Sequence, residues 1–427
     1  MLKKSSQQLS PGFYAQACKA YAKLYLALSR LYVMFSSIYK NFLMKFLGNI
    51  REGTIILKDN GVQTFGKGDP VVNIEVLNSK FYRRATLAGD LGFAESYAKG
   101  EWNTDNLTNL IIILINNKDN LGNLDMKWSF LSKIVARLGH WRRKNTILGS
   151  KKNIQDHYDL SNELFSIFLD ETMTYSCGIF ESKETTLHES QIRKIDMIIE
   201  KAQLKPEDHV LEIGSGWGGL SRRAVEKIGC KFTTITLSED QYSYVKNMIK
   251  NEGLEKNIEV KLIDYRNIEG TYDKVISVEM IEAIGYELFN SYFEKIEAVM
   301  KPNGIAVIQA ITYPDENYET YRRGCDFIQK FIFPGSLLPS VKVMNESITQ
   351  KTNMKVTDLE RIGPSYATTL NMWSKKFNAN KEDIMKLGFD EYFINLWNYY
   401  FSYCEAGFSA GTIDDVQMVI EGGKANA

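Results

Sequence analysis

The stretch that most constrains this chain is Pro206-Glu-Asp-His-Val-Leu-Glu-Ile-Gly-Ser-Gly-Trp-Gly-Gly-Leu220. Val210, Leu211 and Ile213 read as a short buried strand. Gly214, Gly216, Gly218 and Gly219 then turn the chain into an apolar-periodic segment, Leu220 to Ile228. Glycine is needed where a backbone bends tightly after a strand and a ligand must approach with no Cβ in the way. A helix opening just beyond such a turn presents free N–H groups and a partial positive charge. The stretch therefore predicts strand, ligand-accessible turn and helix in succession.

Glycine spacing alone does not name the ligand. A dinucleotide site places an acid at the end of the next strand to hold the ribose hydroxyls. Here Lys231-Phe-Thr-Thr-Ile-Thr236 ends in Leu237-Ser238, and Ser238-Glu-Asp-Gln241 reads as a helix capping box. The form Glu212-x-Gly-x-Gly, with its acid inside the strand, looks more like an S-adenosylmethionine-dependent methyltransferase. NAD(P) or FAD binding and a purely structural turn stay open as alternatives on these residues alone.

Beyond the turn, strand-like and helix-like segments alternate: 231–237 then 239–251, 258–263 then a turn, 273–279 then 280–299, and 304–311. Such alternation predicts a parallel sheet wrapped by helices, with ligands at the carboxyl ends of its strands. Gly214–Gly218, Thr236–Leu237, Asp264 and Glu279–Glu282 should then surround one crevice.

The chain of 427 residues exceeds one ordinary domain. Upstream, Thr54 to Lys58 and Val62 to Phe65 flank Asp59-Asn-Gly61 as in a hairpin. Val71 to Leu77 and Phe81 to Leu87 read as strand-like, Leu91 to Tyr97 and Leu107 to Ile115 as helical. This predicts a small α+β accessory domain over 51–145, ahead of a methyltransferase-like domain over 150–427, with a basic loop-like connector (Arg142, Arg143, Lys144, Lys151, Lys152) between them. Residues 12 to 47 carry aromatics at helical spacings with basic residues between them, and no acid precedes Glu52. Residues 1–50 thus read as a basic amphipathic helix segment. Its aromatic face suits either an anionic membrane surface or its own domain or a second subunit.

Formal charge sums to zero, so nothing points to nucleic acid. Five scattered cysteines show no metal or disulfide spacing and suit a reducing compartment. The apolar stretch Leu24 to Leu47 is interrupted by Arg30, Lys40 and Lys45, short of a membrane span, and no secretory signal is evident. A cytoplasmic location is expected. The four histidines all precede residue 210, leaving few sources for a Ser-His-Asp device in the crevice loops. Carboxylates remain: Asp264, Glu279 and Glu282, each an adenosine contact, a base or a helix-terminal acid.

Taken together, His157-Tyr-Asp-Leu-Ser-Asn162, Tyr175-Ser-Cys177, Leu211-Glu-Ile-Gly-Ser-Gly, Thr236-Leu-Ser-Glu-Asp-Gln241, Asp264-Tyr-Arg266 and Val278-Glu-Met-Ile-Glu-Ala283 resemble the cyclopropane fatty acid synthase family. So do Gln309-Ala-Ile-Thr312, Asp326-Phe-Ile-Gln, Phe333-Pro-Gly, Leu338-Pro-Ser340, Tyr366-Ala-x-Thr-Leu370 with Trp373, and Cys404-Glu405 near Phe408. The motifs stand in the family's order over roughly 150 to 425, and the Gly53–Asn117 region resembles the extra amino-terminal domain of longer members.

The resemblance implies an α/β fold, the class I methyltransferase (Rossmann-like) sheet with flanking helices, plus the small amino-terminal α+β domain. It implies methyl transfer from S-adenosylmethionine to a cis double bond of a phospholipid acyl chain, and loss of a proton from the resulting carbocation to close a cyclopropane ring. Similar members hold a bicarbonate ion as the base. By motif, Cys177 and Ile311 (through backbone N–H), Glu282, Gln309 and Tyr366 would hold it. Tyr175, Ser176, Gly214, Ser215, Gly216, Thr236, Leu237, Gln241, Asp264 and Tyr265 would bind the cofactor. The resemblance further implies work at the membrane periphery and a homodimer. Gln309 and Ser365 depart from the histidines common in the family, leaving a methyl-branched product or an amine acceptor as alternatives, with a lipid-binding scaffold as the non-enzyme alternative.

Overall fold

The computed structural model describes residues 37–121 and 161–423. The aromatic segment up to residue 36, the basic connector and the first four residues of His157-Tyr-Asp-Leu-Ser-Asn162 lie outside these.

The amino-terminal unit begins with a helix over 37–47 that buries Leu43 and Leu47. Strands β1 (Gly53–Lys58), β2 (Val62–Lys67), β3 (Val71–Val76) and β4 (Trp102–Thr104) form a sheet in the order β2-β1-β3-β4. The expected hairpin is present: β1 and β2 pair antiparallel around Asp59-Asn60-Gly61. Asn60 and Gly61 both take the positive φ that such a turn requires.

Phe81 to Leu87, read from sequence as strand-like, is instead the first half of a helix, Lys80–Ala98. A short apolar run does not by itself distinguish strand from helix. The helix wins here because it aligns Phe81, Tyr82 and Ala85 on one buried stripe. It also sets Arg84 against Glu95 and Glu101. The helix kinks at Gly89, where φ is 57°. The Leu107–Asn116 helix follows, its amino terminus capped by the Asn106 side chain.

The larger unit is built on seven strands: β5 (His209–Ile213), β6 (Lys231–Thr236), β7 (Ile258–Leu262), β8 (Tyr272–Val278), β9 (Met300–Thr312), β10 (Lys355–Arg361) and β11 (Asp414–Glu421). Their order is β10-β11-β9-β8-β5-β6-β7. The five strands from β7 to β9 are parallel as expected. The far edge corrects that expectation: β11 runs antiparallel to β9, and β10 antiparallel to β11. After β8 the anticipated helix over 280–299 forms only from Phe289 to Val299. Two short turns, Ile281–Ala283 and Tyr286–Leu288, precede it.

An aromatic-rich core joins the two units. The Glu391–Ser409 helix packs on Gly363–Ala379 and on both long helices of the amino-terminal unit. Tyr399 meets Tyr97 at 5.9 Å between ring centroids, and Thr108 donates to Glu405 at 3.1 Å. No helix among the described residues is long and apolar enough to cross a membrane.

Candidate active site

At the carboxyl ends of β5, β6 and β8 lies a cavity of about 190 Å³. Gly214 and Gly216 have φ of 98° and 49°, the backbone that glycine tolerates and other residues resist. All ten residues assigned by motif to the cofactor line this cavity: Tyr175, Ser176, Gly214, Ser215, Gly216, Thr236, Leu237, Gln241, Asp264 and Tyr265. The Ser238 hydroxyl caps the helix by accepting from Gln241 N, and the Thr236 hydroxyl donates to Gln241 Oε1 at 2.8 Å. Asp264 is held by both arms of Arg266, at 2.8 and 2.6 Å. Glu212 Oε2 and the Tyr265 hydroxyl are buried with no hydrogen-bond partner among the described residues. Burial pushes the Glu212 carboxyl up to about 8. A polar ligand suits this wall, because orphaned buried polar atoms are costly unless something meets them.

A second, larger cavity of about 1260 Å³ is walled by both units of the chain. Leu43, Leu57 and Leu110 face it from the amino-terminal unit, and Ile311, Phe333 and Tyr399 from the larger one. Charged side chains such as Lys118 and Arg323 are few among its lining. Tyr175, Glu279 and Ala283 border both cavities. The Tyr175 ring stacks on Trp373 at 5.1 Å, and its hydroxyl lies 2.8 Å from that of Tyr400.

At this shared wall sits a group of carboxylates. Glu279 leaves β8 with φ of 48°, rare for a residue with a side chain, and its N–H donates to the Gln309 carbonyl at 2.8 Å. Its Oε1 accepts from Cys177 N at 2.9 Å and from Gln309 Nε2 at 2.8 Å. Its Oε2 accepts from the Tyr366 hydroxyl at 2.6 Å. Gln309 Nε2 also donates to Asp415 at 2.9 Å, and Gln417 donates to Gln309 Oε1 at 3.2 Å. The antiparallel pairing sets this up, since Gln309 faces Gln417, and Ile311 faces Asp415, across β9 and β11. Ile311 N donates to Glu282 Oε1 at 2.6 Å, while Glu282 Oε2 is buried with no hydrogen-bond partner among the described residues.

Burial raises the Glu279 carboxyl, opposed by the Tyr366 hydroxyl, the Cys177 N–H and the Lys194 ammonium. Burial and then the Glu279 charge push Glu282 up to about 8. Burial raises Asp415 as well, followed by the charges of Glu279 and Glu282. Tyr366 stays protonated for the same reasons, burial first and Glu279 next. The Cys177 thiol, fully buried and raised by burial and by Asp415, is no nucleophile. Lys194 is 2% exposed and donates to Ser176 Oγ at 2.7 Å.

The five residues assigned by resemblance to a bicarbonate ion are therefore brought together, but their donors already have acceptors. Cys177 N–H, Gln309 and Tyr366 are turned on Glu279, and Ile311 N–H on Glu282. As arranged, they do not fit a bicarbonate ion in that cradle. Sequence reasoning noted Glu279 as a strand-end carboxylate without assigning it these donors. It missed Asp415, Gln417, Lys194 and Tyr400, of which Lys194 had a signal: it falls within the apolar face of the Leu187–Lys201 helix, between Gln191 and Ile195.

The family described as mycolic acid cyclopropane synthetase matches residues 147–418. A tuberculostearic acid methyltransferase of Mycobacterium tuberculosis is 39% identical over 79% of this chain and 80% of its own length. The cyclopropane-fatty-acyl-phospholipid synthase of Escherichia coli K12 is 32% identical over 84% and 90%. Among solved structures, a mycolic acid cyclopropane synthase complexed with SAH and CTAB superposes with a TM-score of 0.58 at 31% identity, covering 64% of this chain and 98% of that one.

Proposed function

The chain belongs to the mycolic acid cyclopropane synthetase family and is an S-adenosylmethionine-dependent methyltransferase of class I fold. On that premise we propose that it transfers the methyl group to a cis double bond in a membrane phospholipid acyl chain. One observation carries the reading: the polar cavity at the strand ends and the large apolar cavity meet at Tyr175, Glu279 and Ala283. A methyl donor in the first and an alkene in the second would face each other across that boundary.

When bound, S-adenosylmethionine supplies an electrophilic methyl carbon. The glycine turn, Thr236, Gln241 and Asp264 would fix it, with Tyr175 and Ser176 covering its methionine end. Apolar walls exclude water, which would otherwise capture a carbocation. The faces of Tyr175, Tyr366 and Phe408 (the last two stacked at 4.5 Å) would steady the cation by roughly 0.5–2 kcal/mol.

We assign 150–427 to the methyltransferase domain, 51–145 to an accessory domain that completes the acyl cavity, and 1–50 to a basic segment. Ile38, Val62, Val71 and Leu77 in the amino-terminal unit are each at least half exposed, which supports contact with a bilayer from the cytoplasmic side. A homodimer follows from the resemblance and is read by sedimentation.

The product is a cyclopropane in this reading. A methyl-branched chain is the second reading, favoured by the 39% identity to a tuberculostearic acid methyltransferase. Labelled S-adenosylmethionine incubated with vesicles of cis-unsaturated phospholipid should give label in lipids one methylene heavier, and proton NMR separates a cyclopropane ring from a branched chain that retains a carbon–carbon double bond. Equal labelling of saturated lipids would refute alkene chemistry.

A further inference from the structure

We propose that Glu279 is the proton acceptor of this reaction, a base tethered to the chain in place of an external anion. The inference rests on the methyl-transfer reading above and adds the identity of the base.

Three observations converge. Glu279 is the side chain on which three donors from separate elements close: Cys177 N–H before the sheet, Gln309 on β9 and Tyr366 on the Gly363–Ala379 helix. A donor set of this kind stabilises the ionised carboxylate. Its backbone, at φ 48°, is held in the left-handed region by the N–H to Gln309 carbonyl bond, a conformation that persists only where its surroundings impose it. It also borders both cavities, so it reaches the boundary where methyl carbon and alkene would meet. Glu282, the other carboxylate of the motif, borders the apolar cavity but not the cofactor cavity.

Gln309 fits this role in a way that the family's more common histidine would not. Its amide nitrogen donates to Glu279 and Asp415 at once, while its oxygen accepts from Gln417. A neutral imidazole offers a single N–H. The departure noted in the sequence and the carboxylate at 279 are thus parts of one arrangement.

The step balances without another reactant. The alkene π pair forms the bond to the methyl carbon as the sulfur–methyl bond breaks, with its electrons staying on sulfur. Glu279 then takes one proton from carbon. The released C–H pair closes the ring if the proton leaves the added methyl group and the new bond reaches the cationic carbon. It forms a carbon–carbon double bond if the proton leaves a carbon adjacent to the cation. The Glu279 proton returns to water on release of product.

The test compares native enzyme, Glu279→Gln and Glu279→Gly in buffer stripped of carbon dioxide and in buffer with added bicarbonate. Labelled S-adenosylmethionine and oleoyl phospholipid vesicles are the substrates, and melting temperature and S-adenosylmethionine affinity are measured alongside. Native turnover should be the same in both buffers. Glu279→Gln should lose about 10²–10⁴-fold in kcat, the usual worth of a general base, with cofactor affinity within about twofold. Glu279→Gly, whose backbone accepts the positive φ, should regain turnover when bicarbonate or formate is added, which a merely structural role would not produce. Native turnover that collapses in stripped buffer, or Glu279→Gln turning over within about tenfold of native, would overturn the proposal. Native enzyme that labels no lipid in either buffer would instead sink the underlying methyl-transfer reading.

Discussion

Ala88 lies on the Lys80–Ala98 helix, far in sequence from every carboxylate of the site, yet its side chain lines the large cavity. Ala88→Phe would place a six-carbon ring in that space while leaving the strand-end cavity untouched. A ring of that size displaces about three or four methylenes of an acyl chain, each worth about 0.8 kcal/mol on burial. The loss is then about 3 kcal/mol for a chain long enough to reach the position, or about 100-fold in kcat/KM at 1.36 kcal/mol per decade. A chain too short to reach it loses little. The assay is methyl transfer to vesicles of oleoyl and of myristoleoyl phospholipid, with S-adenosylmethionine affinity and melting temperature as controls. A uniform loss on both lipids at unchanged stability, or no loss on either, would refute the idea that the amino-terminal unit holds the distal part of the chain.

Glu282→Gln should lower turnover far more than cofactor affinity, since Glu282 faces the apolar cavity alone; equal loss in kinetics and calorimetry would remove it from the reaction. Glu282 also carries a pH signature. Burial pushes its carboxyl from the ordinary 4.5 up to about 8, so its contribution to stability is full below the lower value and is lost as pH rises to the upper one. Native stability should fall over this window with a Glu282 component of up to about 1.4 kcal/mol per pH unit. Denaturant titrations at about pH 6 and pH 9 should show Glu282→Gln lacking that component. In the glycine turn, a Cβ at Gly219 would stand 2.8 Å from the Thr172 carbonyl and 3.1 Å from the Thr174 hydroxyl. Gly219→Ala should therefore displace the segment leading into Tyr175 and weaken S-adenosylmethionine binding about tenfold or more; unchanged calorimetric affinity would contradict the packing.

The cofactor side was legible because its signals are local. Strand, glycine turn and helix lie within residues 206–228, and the periodicity of the following segments gives the parallel strands. The antiparallel edge was not. Asp414, Asp415 and Gln417 make β11 look like a surface loop, and only pairing with β9 reveals that Asp415 and Gln417 are fully buried against Gln309. Phe81 to Leu87 failed for the opposite reason, being apolar enough to suit either period until Arg84 finds Glu95 and Glu101. How the donors expected to hold bicarbonate are engaged was not legible either. The motif supplied the donors Cys177, Gln309 and Tyr366, but whether they face solution or a neighbouring carboxylate depends on φ at Glu279, which no residue pattern encodes.

Lys194 is almost wholly buried, and the charge of Glu279 is the largest influence that favours its protonated form against burial. If Glu279 accepts a proton at each turnover, that counter-charge vanishes at the moment the chemistry ends. A cation stranded in a dry interior repels the newly bound proton and makes the protonated carboxyl a stronger acid. The lysine would therefore act as a spring that rearms the base, and the positive charge that arrived on sulfur would leave the protein as hydronium.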